Sequence, residues 1–204
     1  HFALIVLISV SWWTGAQGGI YLEYHFFSGY CIFILIVFRF FWGIFGSTTA
    51  LFKYFIKSPK TAVNFLVGLF RGKKSEYLSH NPLGGYMVLA LISIIFFQVV
   101  TGLFSDDQIF NEGPLRYLVS IQAAGLLTGL HHQIFSLLLC LSGIHVLAVI
   151  WHEVAMGERL ILAMITGKKN ISGKKPELLF ASASRLLVGF IMSIVIVWGL
   201  LTYI

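Results

Sequence analysis

Charge is scarce in this sequence. Asp, Glu, Lys and Arg make up 11% of the 204 residues, and hydrophobic residues make up 58%. A soluble domain carries about 25% charged residues, so that class is excluded, and a mean hydropathy of +0.89 agrees. Cysteine is nearly absent. Cys31 and Cys140 both fall inside apolar runs, which excludes a disulfide framework or a CxxC site. They read as small buried hydrophobes and fix no redox compartment. Proline occurs four times and, like most of the glycine, falls mainly between the apolar runs. No internal repeat, coiled-coil heptad or low-complexity tract is evident. No basic n-region or small-residue cleavage site precedes the first apolar run, so no cleavable signal peptide is expected. The chain opens on His1 rather than Met, and residues ahead of it, such as the start of the first helix, are expected.

The sequence does have five apolar runs: about His1 to Thr14, Tyr24 to Phe45, Gly84 to Phe104, Leu127 to Trp151 and Arg185 to Ile204. Each complete run is near the roughly 20 residues that a membrane-crossing helix needs. The expected fold is all-α, a polytopic membrane helix bundle forming a single domain over residues 1–204. Lys53, Lys57, Lys60, Arg71, Lys73 and Lys74 lie between the second and third runs, and Arg159, Lys168, Lys169, Lys174 and Lys175 between the fourth and fifth. The other two loops hold Arg116 against Glu23, Asp106, Asp107 and Glu112. The net charge of +6 therefore reflects topology, not nucleic-acid binding. By the positive-inside rule the basic loops and the N-terminus are cytoplasmic, and the C-terminus lies outside. From Ser47 to Pro82, Phe52, Phe55, Ile56, Val63, Phe65, Leu66 and Phe70 interleave with lysines. Short helices lying in the lipid interface have that pattern, with lysine stems snorkelling; a docking face for a cytoplasmic partner is the alternative.

Histidines stand where a membrane helix has little reason to keep them. His131 and His145 are fourteen residues apart. At about 100° and 1.5 Å per residue they share a face to within roughly 40° and stand about 21 Å apart along the axis. His132 points away from that line. An isolated histidine in such a run reads as a hydrogen-bonded packing residue, but two on one face at opposite depths point to function. With the topology above, His25 begins the second run on the outer side and His1 begins the first on the inner side. Two pairs follow, His25 with His131 outside and His1 with His145 inside. Facing helices can hold cofactors through such inward side chains, and imidazole is the commonest axial ligand for haem iron. Two bis-histidine sites stacked across a membrane form an electron path and not a catalytic metal centre, because both axial positions are filled. Zinc fits poorly, since no carboxylate or thiolate joins either pair.

Arg39 lies fourteen residues after His25, on the same face and at the depth of the inner pair. An intramembrane arginine needs an anion, and no acidic residue in the runs supplies one. A haem propionate would; snorkelling to the headgroups is the alternative. Gly29, one turn after His25, and Gly143, near His145, are small enough for a flat macrocycle to approach the backbone.

These features resemble the prokaryotic cytochrome b561 and nickel–iron hydrogenase cytochrome b family. The resemblance rests on His1, on His25-Phe26-Phe27-Ser28-Gly29-Tyr30 continuing to Phe38-Arg39-Phe40, and on His80-Asn81-Pro82-Leu83-Gly84. It rests also on the His131-to-His145 spacing and on Met164-Ile165-Thr166-Gly167-Lys168. It implies a four-helix dihaem core, here with a fifth transmembrane helix, in the bacterial cytoplasmic (inner) membrane, with a periplasmic C-terminus. Two b-type haems would be ligated by His1, His25, His131 and His145, with quinone exchanged near the membrane surface. A periplasmic redox partner, a c-type cytochrome or a hydrogenase-like iron–sulfur subunit, would deliver electrons. Many members carry Glu where this chain has His132. His80 and Asn81, at the mouth of the third run, would touch a quinone carbonyl or a propionate, or simply form the turn into Pro82. His152 and Glu153 read as interfacial, with proton uptake for quinone chemistry as a secondary role.

The leading function is thus an electron-transfer subunit linking an extracytoplasmic redox protein to the quinone pool. A self-contained superoxide:quinone oxidoreductase is the alternative, and it predicts a cationic pocket over the outer haem. A haem-free transporter or assembly protein, using its histidines for packing, is a third class.

Overall fold

The computed structural model describes residues 1–72, 77, 79–107, 111–169 and 177–203. Its helices are α1 (Phe2–Gln17), α2 (Leu22–Phe45), α3 (Phe52–Phe55), α4 (Pro59–Phe70), α5 (Pro82–Leu103), α6 (Ile121–Val154), α7 (Leu160–Thr166) and α8 (Ala183–Tyr203). Among the described residues the only β-pairing is an isolated bridge between Asp106 and Glu112. Among the described residues, four helical stretches are long and apolar enough to cross a membrane: Gly19–Phe45, Pro82–Leu103, Ile121–Val154 and Ala183–Thr202. The apolar helix α1 is shorter, at 16 residues. The protein is an all-α membrane bundle.

Local chemistry sets the helix ends. The Asn81 side chain accepts from Gly84 N at 2.7 Å, and Pro82 opens α5 at a position that needs no N–H donor. The Ser120 hydroxyl accepts from Ala123 N at 3.2 Å and starts α6 at Ile121, ahead of the apolar run from Leu127. At 34 residues α6 is about 50 Å long, so its ends project beyond a hydrocarbon core about 30 Å thick. Gly18 and Gly19, at φ 65° and 54°, make the left-handed turn between α1 and α2.

Helix α1 packs on α2 and α5 on α6, and α2 joins the two pairs by also meeting α5. Ile32 and Ile36 of α2, Ile92, Ile94 and Ile95 of α5 and Leu138 of α6 form the buried core, with Leu4, Leu7 and Ile8 of α1 against it. Helix α8 lies outside this group of four, on the other side of α2. It buries Ser193 and Val197 there and sets the Phe190 ring 5.8 Å from that of Phe38. Leu126, Leu147 and Trp151 of α6 and Val188 and Trp198 of α8 face outward, an apolar surface suited to lipid. Cys140 is also exposed and Cys31 half-buried, contrary to the reading of both as buried hydrophobes. Cys140 lies two residues, about 200°, round α6 from the buried Leu138.

The stretch after α2 forms the short helices α3 and α4, and α3 wedges the end of the bundle. A Cβ at Gly43 would overlap the Phe52 ring, and one at Gly85 would overlap the Phe55 carbonyl oxygen. Phe55 itself is fully buried. Both basic loops lie at this end, since Thr48 N donates to Leu179 O at 3.0 Å and Lys169 Nζ to Tyr77 O at 2.9 Å. Lys73, Lys74, Lys174 and Lys175 lie outside the described residues. At the opposite end the loop after α5 folds back on its helix, Gly113 N donating to Ser105 O at 2.7 Å and Leu115 N to Leu103 O at 2.9 Å. Arg116 clasps that loop through Asp106 at 2.8 Å.

Overpacking at the Gly43–Phe52 contact should cost about 1–3 kcal/mol. Gly43→Ala is therefore expected to lower the unfolding temperature in detergent. Gly199→Ala on α8, where a Cβ meets nothing within 4 Å, is expected to leave it unchanged or slightly raised. Equal unfolding temperatures for the two variants would refute the wedge.

Candidate functional site

Near the α1–α2 turn, His25 and His131 face each other across the bundle, ring centroids 6.0 Å apart and planes at 79°. Each ring is anchored from behind by a neighbouring helix. His25 Nδ1 donates to Ser11 O of α1 at 2.8 Å, and His131 Nδ1 to Gln98 O of α5 at 2.9 Å. The hydroxyls of Ser11 and Thr101 stand 3.2 and 3.3 Å from the same two nitrogens. A carbonyl only accepts, so the proton of each neutral ring sits on Nδ1 and the lone pair on Nε2. Metal-ligating histidines are commonly held in this way. The fit depends on two glycines: a Cβ at Gly15 would come within 2.7 Å of His25 Nδ1, and one at Gly102 within 2.9 Å of His131 Cε1.

A cavity of about 610 Å³ surrounds this pair, with Gly29, Gln98, His132 and Phe135 in its wall. That volume suits an organic cofactor, whose pockets run to about 300–1,000 Å³. A Cβ on Gly29 would meet nothing within 4 Å, so the space beside the helix there is open, and the same holds at Gly143. The Gln98 amide donates to His131 Nε2 at 3.0 Å, while its Oε1 is buried without a partner. His132 is exposed, its ring 6.2 Å from that of His131.

At the other end His1 and His145 form the second pair, centroids 6.1 Å apart and planes at 53°. Among the described residues neither imidazole has a hydrogen-bond partner. Arg39 lies near this end with its guanidinium carbon 5.0 Å from the Phe52 ring centroid and 5.8 Å from that of Phe55, and its Nη1 is buried with no partner. The His80 ring packs 5.1 Å from that same Phe55 ring and bonds the Ser79 hydroxyl at 3.0 Å. Part of His80 remains exposed, but its ring is desolvated. That desolvation, with the nearby charge of Arg39 second, holds its pKa below the ordinary histidine value.

The sequence-predicted residues thus separate. His25 meets His131, His1 meets His145, and Arg39 and His80 share the Phe55 contact near the second pair. Asn81 is committed elsewhere: its oxygen caps α5 and its amide lies 3.4 Å from His152 Nε2. His152 is not at the water boundary as expected but buried, its Nδ1 3.4 Å from Glu158. Glu153 instead accepts from Ile161 N at 3.1 Å, in the first turn of α7. Sequence reasoning missed Gln98, Ser11, Thr101, Gly15 and Gly102. Gln98 alone carried a signal, as an amide within an apolar run.

Chemically, two imidazoles each about 2 Å from a shared ion, the metal–imidazole bond length, have centroids about 6 Å apart. Both pairs have that separation. Among the described residues no three His, Cys, Asp or Glu side chains group to hold a metal ion. Each pair would therefore suit a metal ion whose remaining ligands came from a macrocycle. The open space at Gly29 beside the first pair would suit such a group's plane, and the orphaned Arg39 nitrogen at the other end would suit a carboxylate.

A family model described as prokaryotic cytochrome b561 matches residues 1–167. The match takes in α1 to α7 and all four paired histidines, and leaves α8 outside. No match was found among curated proteins or among solved structures.

Gly15→Ala sets a methyl against His25 Nδ1 and should tilt the ring off the Ser11 carbonyl. The expected outcome is a lower ratio of haem to polypeptide in the visible spectrum of the purified protein. A full haem content with an unshifted spectrum would show that the Gly15 contact is not needed.

Proposed function

This chain belongs to the prokaryotic cytochrome b561 family, b-type cytochromes of membrane electron transfer, and from that premise we propose that it carries electrons across the membrane through two haems. One haem is held by His25 and His131 and the other by His1 and His145. A redox protein outside the cytoplasm, a c-type cytochrome or an iron–sulfur subunit, supplies the electrons, and quinone takes them near the second pair. The observation that carries this reading is the double pairing: two imidazole pairs with centroids 6.0 and 6.1 Å apart, at opposite ends of one bundle.

Bound haem supplies the one-electron chemistry, and the chain's own residues do the rest. The carbonyls of Ser11 and Gln98 hold the rings of His25 and His131 through Nδ1, which leaves each Nε2 as the acceptor, that of His131 meeting the Gln98 amide at 3.0 Å. Ile32, Ile36, Ile95 and Leu138 form a buried apolar core among α2, α5 and α6. Arg39 offers an unpaired buried donor to a propionate. Asn81, which caps a helix, is replaced by His80 as the better side chain for a quinone or propionate contact.

The positive-inside rule turns the end with α3 and the basic loops toward the cytoplasm, so the His25–His131 pair faces outward and meets the donor. The superoxide reading gains no support at that face. Among the described residues its one Arg or Lys, Arg116, is paired with Asp106 at 2.8 Å.

A reduced-minus-oxidised spectrum with haem counted against polypeptide tests the proposal. Two b-type haems per chain are expected, one after His145→Ala, and two after His132→Ala. A His145→Ala protein that keeps both haems would overturn the pairing, and a well-folded wild type without haem would overturn the function.

A further inference from the structure

Helix α8 does not close fully on the end of α2. Between the last turns of α2, the short helix α3, residues 179–181 and the start of α8 lies a cavity of about 800 Å³, open on one side. Pockets for an organic ligand run to about 300–1,000 Å³. The cavity shares no lining residue with the one around His25 and His131, and none of the paired histidines reaches it. Its helical walls are apolar, with Trp42, Ile44 and Phe45 from α2 and Val188 and Met192 from α8. All of these but Trp42 are exposed large hydrophobics. The walls are also tied together. Thr48 N donates to Leu179 O at 3.0 Å, and Ala181 N to the Ser47 hydroxyl at 3.0 Å. These bonds hold residues 179–181 against the end of α2.

Two cations line the same cavity, Lys53 on α3 and Arg185 in the first turn of α8. No Asp or Glu lines it, and Glu177, the acidic residue nearest Arg185 in sequence, is not in its wall. Among the described residues neither cation has a salt-bridge partner. The Lys53 ammonium stands 5.2 Å from the centroid of the Tyr54 ring, which also lines the cavity. The helix dipole at the start of α8 adds to the positive sign there. An inorganic anion would answer the cations and leave the apolar walls bare, while a neutral lipid would do the reverse. A molecule with a negative head and hydrocarbon tails answers both.

We infer that this cavity is a binding site for an anionic phospholipid. Lys53 and Arg185 answer its phosphate, and its acyl chains lie along Ile44, Phe45, Val188 and Met192. Basic pockets between membrane helices recognise anionic headgroups in this way. The bound lipid bridges α2 and α3 to α8, and so fastens to the core a helix that lies outside the family match. The site does not depend on haem.

The test uses the full chain, purified in mild detergent and stripped of native lipid. It is titrated with phosphatidylglycerol, with phosphatidylcholine of the same acyl chains, and with inorganic phosphate. Native mass spectrometry counts the retained lipids, and the unfolding temperature is measured on the same samples. Phosphatidylglycerol is expected to bind more tightly than phosphatidylcholine and to raise the unfolding temperature as its concentration rises; phosphate should not. Lys53→Gln and Arg185→Gln should each weaken phosphatidylglycerol binding about 5-fold, and both together about 30-fold, since a cation near the surface contributes about 1 kcal/mol. Should the double variant not fold, each single variant decides by its own loss. Lys60→Gln, outside the lining, should bind as the wild type does, and so should the charge-keeping pair Lys53→Arg with Arg185→Lys. Equal affinity for the two lipids, unchanged binding by the Gln variants, or a loss in Lys60→Gln as large as theirs would overturn the inference. Phosphate that stabilises the chain as well as the lipid does would overturn it too, in favour of a simple anion site.

Discussion

An imidazole inside hydrocarbon has to have its N–H answered within the protein, because no water is there to answer it. The His25–His131 pair meets that demand through main-chain carbonyls of adjacent helices, Ser11 O on α1 and Gln98 O on α5. These bonds do more than satisfy a donor. Association between membrane helices has no hydrophobic drive of its own and depends on close packing and on such polar contacts. Each bond locks one helix pair in register, α1 against α2 and α5 against α6, and those are also pairs that pack directly. Gly15 and Gly102 are what let the backbones come near enough for the bonds to form. The same contacts that hold the bundle together therefore orient the two imidazoles.

The opposite end is organised by a different element. Arg39 is seated on α3, whose Phe52 and Phe55 rings lie under the guanidinium. That helix is seated against Gly43 of α2 and Gly85 of α5, where larger side chains would collide with it. The charge beside His80 is thus positioned by a loop helix outside the histidine-bearing spans. A change at Gly43 reaches the site through Phe52 without touching a histidine.

Periodicity made part of this legible in the sequence. Fourteen-residue spacings, from His131 to His145 and from His25 to Arg39, are close to whole turns, and alternation of basic and acidic loops fixes which spans run the same way. Those two facts are enough to pair the four histidines, and the structure brings the same partners together. What lay beyond periodicity was contact across helices. His152 read as a boundary residue because its span seemed to end there, but α6 continues to Val154 and the loop before α7 returns Glu158 to cover the ring. Asn81 was one of two polar residues beside Pro82, and only the structure shows it committed to capping α5 and to His152. Gly15 and Gly102 looked like any glycine of a membrane helix, since the imidazole each accommodates comes from another helix.

The fifth long helix has a place in the same logic. Helix α2 carries both His25 and Arg39, and its inward face is occupied by α1 and α5. Its outward face presents Phe33 and Phe38, which α8 covers with Val197 and Phe190, while Ser193 turns back to its own helix at Gly189 O, 2.7 Å away. The start of α8 is tied to the end of α2 as well, through Ala181 N to the Ser47 hydroxyl at 3.0 Å and Leu179 N to that of Thr48 at 3.1 Å. Helix α8 contributes no histidine and lies outside the matched residues, yet it replaces mobile lipid with fixed side chains along the back of the helix that spans both sites. A tilt of α2 would move His25 and Arg39 in opposite directions about its midpoint. Support along that outward face opposes such a tilt, so the two ends of the path keep their geometry together.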